Sequence, residues 1–334
     1  MLEAILGTRT GVYHLRDDSL YHLGLESERI SAILTVTRRN GKRRILAGSY
    51  ENGLFLSDDH GKSWQEVTAG FGANCVRWLG RDPLNAGHLL AGTEPGRIFR
   101  SADNGDSWDE LEGIREIDGH EDWYLPYSPR AGAVRNVYAP PGSRRYLASV
   151  EVGGLLESDD NGISWTCNHV GIDSDIHFIT GNPHDANILY AALGYAGIDR
   201  TPNEDGDNRR GGLARSTDGG RTWTKLFGDY TRGVIVPISN PDVVIAGPSP
   251  DVGRNGRIEA SYDGGESWSD ASAGIETPMP DMVEEFVETP DGAIWAICSG
   301  GRLLSADAER IEWRLVLEPS ARIEVESVAF PTTE

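Results

Sequence analysis

Four short apolar runs of this chain end on proline and carry a charged or titratable residue at their second place: VRWLGRDP (76–83), VRNVYAPP (134–141), IHFITGNP (176–183) and VEEFVETP (283–290). Those residues are Arg77, Arg135, His177 and Glu284, and the C-terminal run VESVAFP (325–331) places Glu326 similarly. A second set, SYENGLF, GTEPGRIF and SVEVGGLL, puts Glu51, Glu94 and Glu151 at matching places. Guanidinium groups hold carboxylates, phosphates and hydroxyls, while histidine and carboxyl groups move protons. In one pocket, Arg77, Arg135 and His177 would position an anionic or polyhydroxylated ligand beside Glu326. Glu51, Glu94, Glu151, His177 or Glu284 would then transfer protons. The competing expectation is that arginines and glutamates around a wet channel merely neutralise each other.

Residues so distant in sequence meet only if successive units bring equivalent places together, so the repeating unit has to be found first. SDDHGKSW (57–64) points to it, returning as SADNGDSW (101–108), SDDNGISW (158–165), STDGGRTW (216–223) and SYDGGESW (261–268). Its acids and hydroxyls resemble a catalytic motif, but a catalytic site is seldom needed five times. A structural task fits better: glycine permits positive φ, the aspartate accepts hydrogen bonds from nearby amides, and the tryptophan buries its ring between sheets. The variable place holds His60, Asn104, Asn161, Gly219 and Gly264, which share no chemistry.

The closing tryptophans, with Trp313 of the degraded copy SADAERIEW, are 44, 57, 58, 45 and 45 residues apart. A basic unit of that length accommodates four short strands and their turns. CVRWLGR (75–81), HLLAGT (88–93), RIFRSAD (97–103) and SWDELEG (107–113) are such a set, denoted A to D, and the repeated phrase falls in the C–D hairpin. Full units begin near 30, 74, 132, 175, 232 and 283. The N-terminus supplies three runs (EAILGTR, GVYHLR, SLYHLG) and VESVAFP one, so the terminal strand completes a seventh unit and closes the ring.

The expected fold is all-β, a seven-bladed β-propeller of four-stranded blades spanning 1–334 as a single domain. Blades are expected at about 1–28 with 322–331, then 29–70, 73–113, 131–170, 174–228, 232–271 and 282–318. Because strands alternate direction, the repeated phrase lies on the face opposite the D–A and B–C loops, and function is expected among those loops, around the central channel.

The phrase S-x-D-x-G-x-S/T-W is similar to the Asp-box, or BNR, repeat of sialidase-like propellers, sortilin-type receptors, xyloglucanase-type glycoside hydrolases and photosystem II assembly factors. Five intact copies make the resemblance strong for fold and weak for function, because the group holds both enzymes and scaffolds. It implies for sialidases an arginine triad, a tyrosine/glutamate nucleophile pair and a Phe/Tyr-Arg-Ile-Pro motif, whereas the N-terminal region here reads AILGTRTGVYHL, with Arg9 alone. Xyloglucanase-type enzymes place their cleft between two propellers and this chain has room for one. The assembly factors have one seven-bladed propeller, usually after an export leader.

Two long units expand on the loop face. Insertion 113–132 carries Trp123, Tyr124 and Tyr127, and insertion 194–212 carries Tyr195, all four being candidate stacking surfaces for a ligand, or residues that pack their loops. No cofactor is expected, with a divalent metal near His120, Glu121, Asp122 and His177 as the alternative.

The formal charge of −21, with only three lysines, repels phosphate backbones, so nucleic acid is an unexpected partner. Cys75, Cys167 and Cys298 are odd in number and lack a CxxC pattern, which fits a reducing compartment and argues against a disulfide framework. The N-terminus has no basic start and no run has the length of a membrane span, so a soluble cytoplasmic protein is expected, without a membrane partner. The functional expectation is a hydrolase or lyase, glycoside-hydrolase-like, acting on a carbohydrate-like or anionic small molecule. The alternative is a non-catalytic binding or assembly scaffold for a protein partner.

Overall fold

The computed structural model describes residues 3–38, 41–125, 128–168, 170–194, 211–320 and 323–331. They form seven four-stranded antiparallel blades in a ring, as the repeat predicts. Blade one consists of Val325–Ala329, Ala4–Thr8, Gly11–Arg16 and Ser19–Gly24 from the axis outward, so the C-terminal strand closes the ring from inside. The innermost strands of blades two to seven are Ile30–Thr37, Cys75–Arg81, Ala133–Tyr138, Ile176–Gly181, Tyr230–Ile235 and Val283–Glu288.

Burial follows position in the blade. The second strands Leu89–Glu94, Tyr146–Glu151 and Val244–Ser249 are buried throughout, since each is covered by sheets on both faces, and Glu94 and Glu151 at the ends of two of them are buried with the apolar residues. The outermost strands, such as Gln65–Glu66, are exposed.

The C–D hairpins are self-contained. In blade three, Ser107 donates from its amide at 2.9 Å and from its hydroxyl at 2.6 Å to Asp103, Ser101 donates to Asp103 at 2.8 Å, and the Gly105 amide donates to Ser101 at 2.8 Å. Trp108 Nε1 then returns to the Gly105 carbonyl. The same bonds recur around Asp160, Asp218 and Asp263. His60, Asn104, Asn161, Gly219 and Gly264 all have positive φ, so this place varies in chemistry but not in conformation, which is why asparagine and glycine recur there.

The innermost strands share a second device. Each is bulged, and the residue skipped in the register with the next strand is Glu326, Ser31, Arg77, Arg135, His177 or Glu284, while blade six skips Arg232 together with Gly233. A bulge releases a residue from the ladder and re-aims its side chain. Seven bulges at one level therefore aim seven side chains at the axis.

Candidate functional site

The bulged residues surround a cavity of about 270 Å³ at the loop-face end of the channel. It is lined by Ser31, Arg77, Arg135, His177, Arg232, Glu284 and Glu326 from the bulges, and by Arg9, Arg29, Tyr50 and Glu324 above them. Five arginines thus face one cavity in a chain with 31 basic and 52 acidic residues.

The arginines are held by carboxylates. Arg77 lies 3.2 Å from Glu94 and 3.9 Å from Glu151, and Arg135 lies 3.5 Å from Glu151. Glu94 and Glu151 are themselves buried and do not line the cavity, so the guanidinium groups stand in front of their counter-charges. Arg232 Nη1 donates to both oxygens of Glu284 at 2.7 and 2.8 Å, and its Nε donates to the Tyr230 hydroxyl at 2.9 Å. That hydroxyl shares a 3.0 Å hydrogen bond with His177 Nε2, and Asp175 lies 3.5 Å from the same nitrogen. On the opposite wall, Glu326 accepts from Arg9 and Arg29, and Arg29 and Arg77 both stack on Tyr50, at 4.3 and 4.9 Å from its centroid.

Burial and charge divide the titratable groups. Burial drives His177 well below the usual histidine value; Glu151 pulls it upward and the arginines reinforce the fall, which leaves the ring neutral at pH 7. Burial opposes ionisation of Glu151, but His177, Arg135, Arg77 and Arg232 outweigh it and hold the carboxyl below its usual range. With His177 neutral, the arginines carry that effect at pH 7. Glu285, the next residue after the blade-seven bulge, faces the cavity, and burial pushes it up to about 7 against the pull of Arg135.

Glu151, Asp175 and His177 bring ligand atoms within 4.8 Å of one another, a donor set that could hold a cation. Arg77 and Arg135 already provide positive charge to Glu151, so the cluster fits an ion-paired network better than a divalent metal. His120, the other metal candidate, stands apart from it, with Nε2 3.1 Å from the Gly96 carbonyl and its ring against Trp123.

The sequence-derived residues are thus distributed unevenly. Arg77, Arg135, His177, Glu284 and Glu326 converge on the cavity, and Glu94 and Glu151 back it. Glu51 does not join them, because its alignment is off by one residue. Glu94 pairs with Cys75 and Glu151 with Ala133, each one place beyond the residue that pairs before the bulge. In blade two Ser49 pairs with Ile30, so the equivalent place is Tyr50, and Glu51 is exposed on the following turn. Trp123 is buried against Ile114 and the core between blades three and four, packing its insertion onto the body. Tyr124 lies in a two-residue strand of that insertion. Tyr127 and Tyr195 lie outside the described residues.

Sequence reasoning missed Arg232, Tyr230, Asp175 and Glu285. Arg232 stands five residues before Pro237, as Glu326 stands five before Pro331, so a legible signal existed. Asp175 and Tyr230 stand two residues before His177 and Arg232, on the same strand side by the period of two. Glu285 gave no signal, since only the bulge brings adjacent residues to one channel.

The BNR/Asp-box repeat family matches residues 55–66, within the second blade. No curated protein matches the sequence. Among solved structures, the chain is similar to a GH74 xyloglucanase from Xanthomonas campestris at 17% identity and a TM-score of 0.66, covering 97% of this chain and 52% of that one. It therefore spans about half the length of that enzyme. A putative 6-phosphogluconolactonase from Bacteroides uniformis matches at 15% identity and a TM-score of 0.60 over 99% of both chains. YCF48 bound to D1 peptide matches at 16% identity and a TM-score of 0.59, covering 91% of this chain and 89% of that one. At these low identities the structural similarity shows a shared propeller fold and nothing further. Among the described residues, no helix is long and apolar enough to cross a membrane.

Proposed function

We propose that the central cavity binds a small anionic or polyhydroxylated molecule and acts on it as a hydrolase or lyase. The observation that supports this is the wall formed by Arg77, Arg135 and Arg232 around His177, with the carboxylates of Glu94 and Glu151 set behind it rather than in the cavity. Arg77 and Arg135, fixed by buried partners, meet an oxyanion without reorganising, whereas the partner of Arg232, Glu284, stands in the cavity itself. The same pairing removes Glu94 and Glu151 from proton transfer and makes them positioning groups. Glu285, poised near neutrality on blade seven, and neutral His177 on blade five are the groups suited to exchange protons with a bound ligand. The GH74 and phosphogluconolactonase-type neighbours make a carbohydrate-derived ligand a reasonable class on fold analogy alone. The odd number of cysteines without a CxxC pattern supports a reducing, cytoplasmic setting.

The test is a thermal-shift series with gluconate, galacturonate, gluconolactone and glucose on the wild type and on Arg135→Ala. A ligand at one hundred times its Kd stabilises by about 2.7 kcal/mol. The expected result is stabilisation by at least one acid or lactone that Arg135→Ala abolishes. A series without any shift overturns the reading. A peptide-binding scaffold is the second reading, supported by similarity to YCF48 bound to D1 peptide across most of both chains. Peptide binding retained in Arg135→Ala and lost on shortening 113–132 would favour it.

A further inference from the structure

Of the residues that follow the aimed ones, Ser327, Ala32, Trp78, Phe178 and Glu285 line the cavity as a second tier, whereas Gly233 faces Val283 and Phe286 of blade seven. Ser327 and Ala32 are small, so they leave the tier open on blades one and two. Asn136 is turned out of the channel, donating to the Ile179 carbonyl at 2.8 Å and accepting from the Ile179 amide at 3.1 Å and from Ser149 at 2.6 Å. Trp78 and Phe178 supply this tier's aromatic surface, with Glu285 on blade seven, and all three line the cavity.

Trp78 is built to lie flat. A Cβ on Gly80 would collide with its indole, so the ring spreads over the strand where a side chain is missing. Trp78 packs against the core between blades three and four, is half-buried, and lines the cavity. A flat, rigid aromatic face beside a fixed cation is a stacking platform for a ring, whereas an open chain gains little from it.

We propose that Trp78 is a specificity-determining residue that selects a cyclic ligand, its ring stacked on the indole and its acid group held by Arg77 and Arg135. This rests on the anion-binding reading above and narrows it to cyclic acids, such as uronic acids, over open-chain acids of similar size and charge.

Titration calorimetry of the full chain tests it with galacturonate, gluconate and neutral methyl glucoside as probes. The expected result is that galacturonate binds about five- to tenfold tighter than gluconate. Trp78→Leu should remove that advantage and leave gluconate within twofold, and Trp78→Phe should restore part of it. Equal binding of the two acids, or equal weakening of both in Trp78→Leu, overturns the platform and leaves the anion-binding reading standing. Methyl glucoside binding that depends on Trp78, without binding of either acid, upholds the platform and overturns the anion-binding reading. Absence of binding by all three overturns both.

Discussion

The C–D hairpins and the inner-strand bulges are both repeated around the ring at equivalent places, yet the hairpins repeat residues and the bulges repeat only position. In a hairpin, the aspartate, serine and glycine satisfy one another within eight residues, so each identity is required by its immediate neighbours. At a bulge, the backbone aims a side chain and leaves its chemistry free; partners come from the same blade, as Glu94 serves Arg77, and from the next, as Glu284 serves Arg232 and Glu151 serves Arg77. Local bonding conserves type around the ring, and a shared channel permits each blade to contribute something different.

The largest expected effect breaks a hairpin. Trp108 is buried against Phe71, with centroids 5.6 Å apart, and Trp108→Ala should cost about 4 kcal/mol in urea denaturation through lost contacts and a cavity. A loss below about 1 kcal/mol would mean that the hairpins are dispensable ornaments of the blades.

Next comes the channel. Arg77→Ala leaves Glu94 and Glu151, which are 1% and 3% exposed, with one guanidinium fewer, and should cost about 3 kcal/mol. Glu51→Gln, on an exposed turn, should stay within about 0.5 kcal/mol. Equal effects of the two would show that the ring residues are not coupled.

The smallest effect separates the regions by pH. Glu285 has a folded pKa of about 7 against an ordinary 4.5, so the fold favours its protonated form. That contribution is complete below about 4.5 and is lost as pH rises through 7. Glu285→Gln should therefore gain stability over the wild type between pH 5 and pH 8 by about 2 kcal/mol, less than full linkage because the carboxyl keeps some contact with water. The hairpin aspartates behave oppositely. Asp59, Asp160 and Asp263 are lowered to about 2 from 3.8, chiefly by hydrogen bonds from Ser63, Ser164 and Ser267. Their contribution is present above about 4 and lost as pH falls toward 2. Denaturation curves at both ends of the scale should report the two regions separately; a flat response of Glu285→Gln would mean that its carboxyl is ordinarily solvated.

Legibility in sequence followed the same division. The five phrases announced the hairpins, their spacing gave the strand set, and the orphan C-terminal run gave the closure. Arg77, Arg135, His177, Glu284 and Glu326 were legible because a proline follows each at nearly constant distance. Arg232 was passed over although Pro237 follows it, and Ser31 has no such proline in its blade. Glu51 was drawn in by resemblance of loop residues, where pairing places Tyr50.

By itself the sequence determined the all-β class and the hairpin devices, because each depends on contacts among residues close along the chain, and the number of blades, because the repeat spacing leaves one orphan C-terminal run to complete the first blade. Only the tertiary structure decided which acids pair with which arginines, that His177 is neutral, and that Trp78 and Glu285 face the same cavity as their neighbours Arg77 and Glu284. Those properties arise from bulges that override the alternation of strand side chains and from charges brought together across blades, and neither has a local period to read.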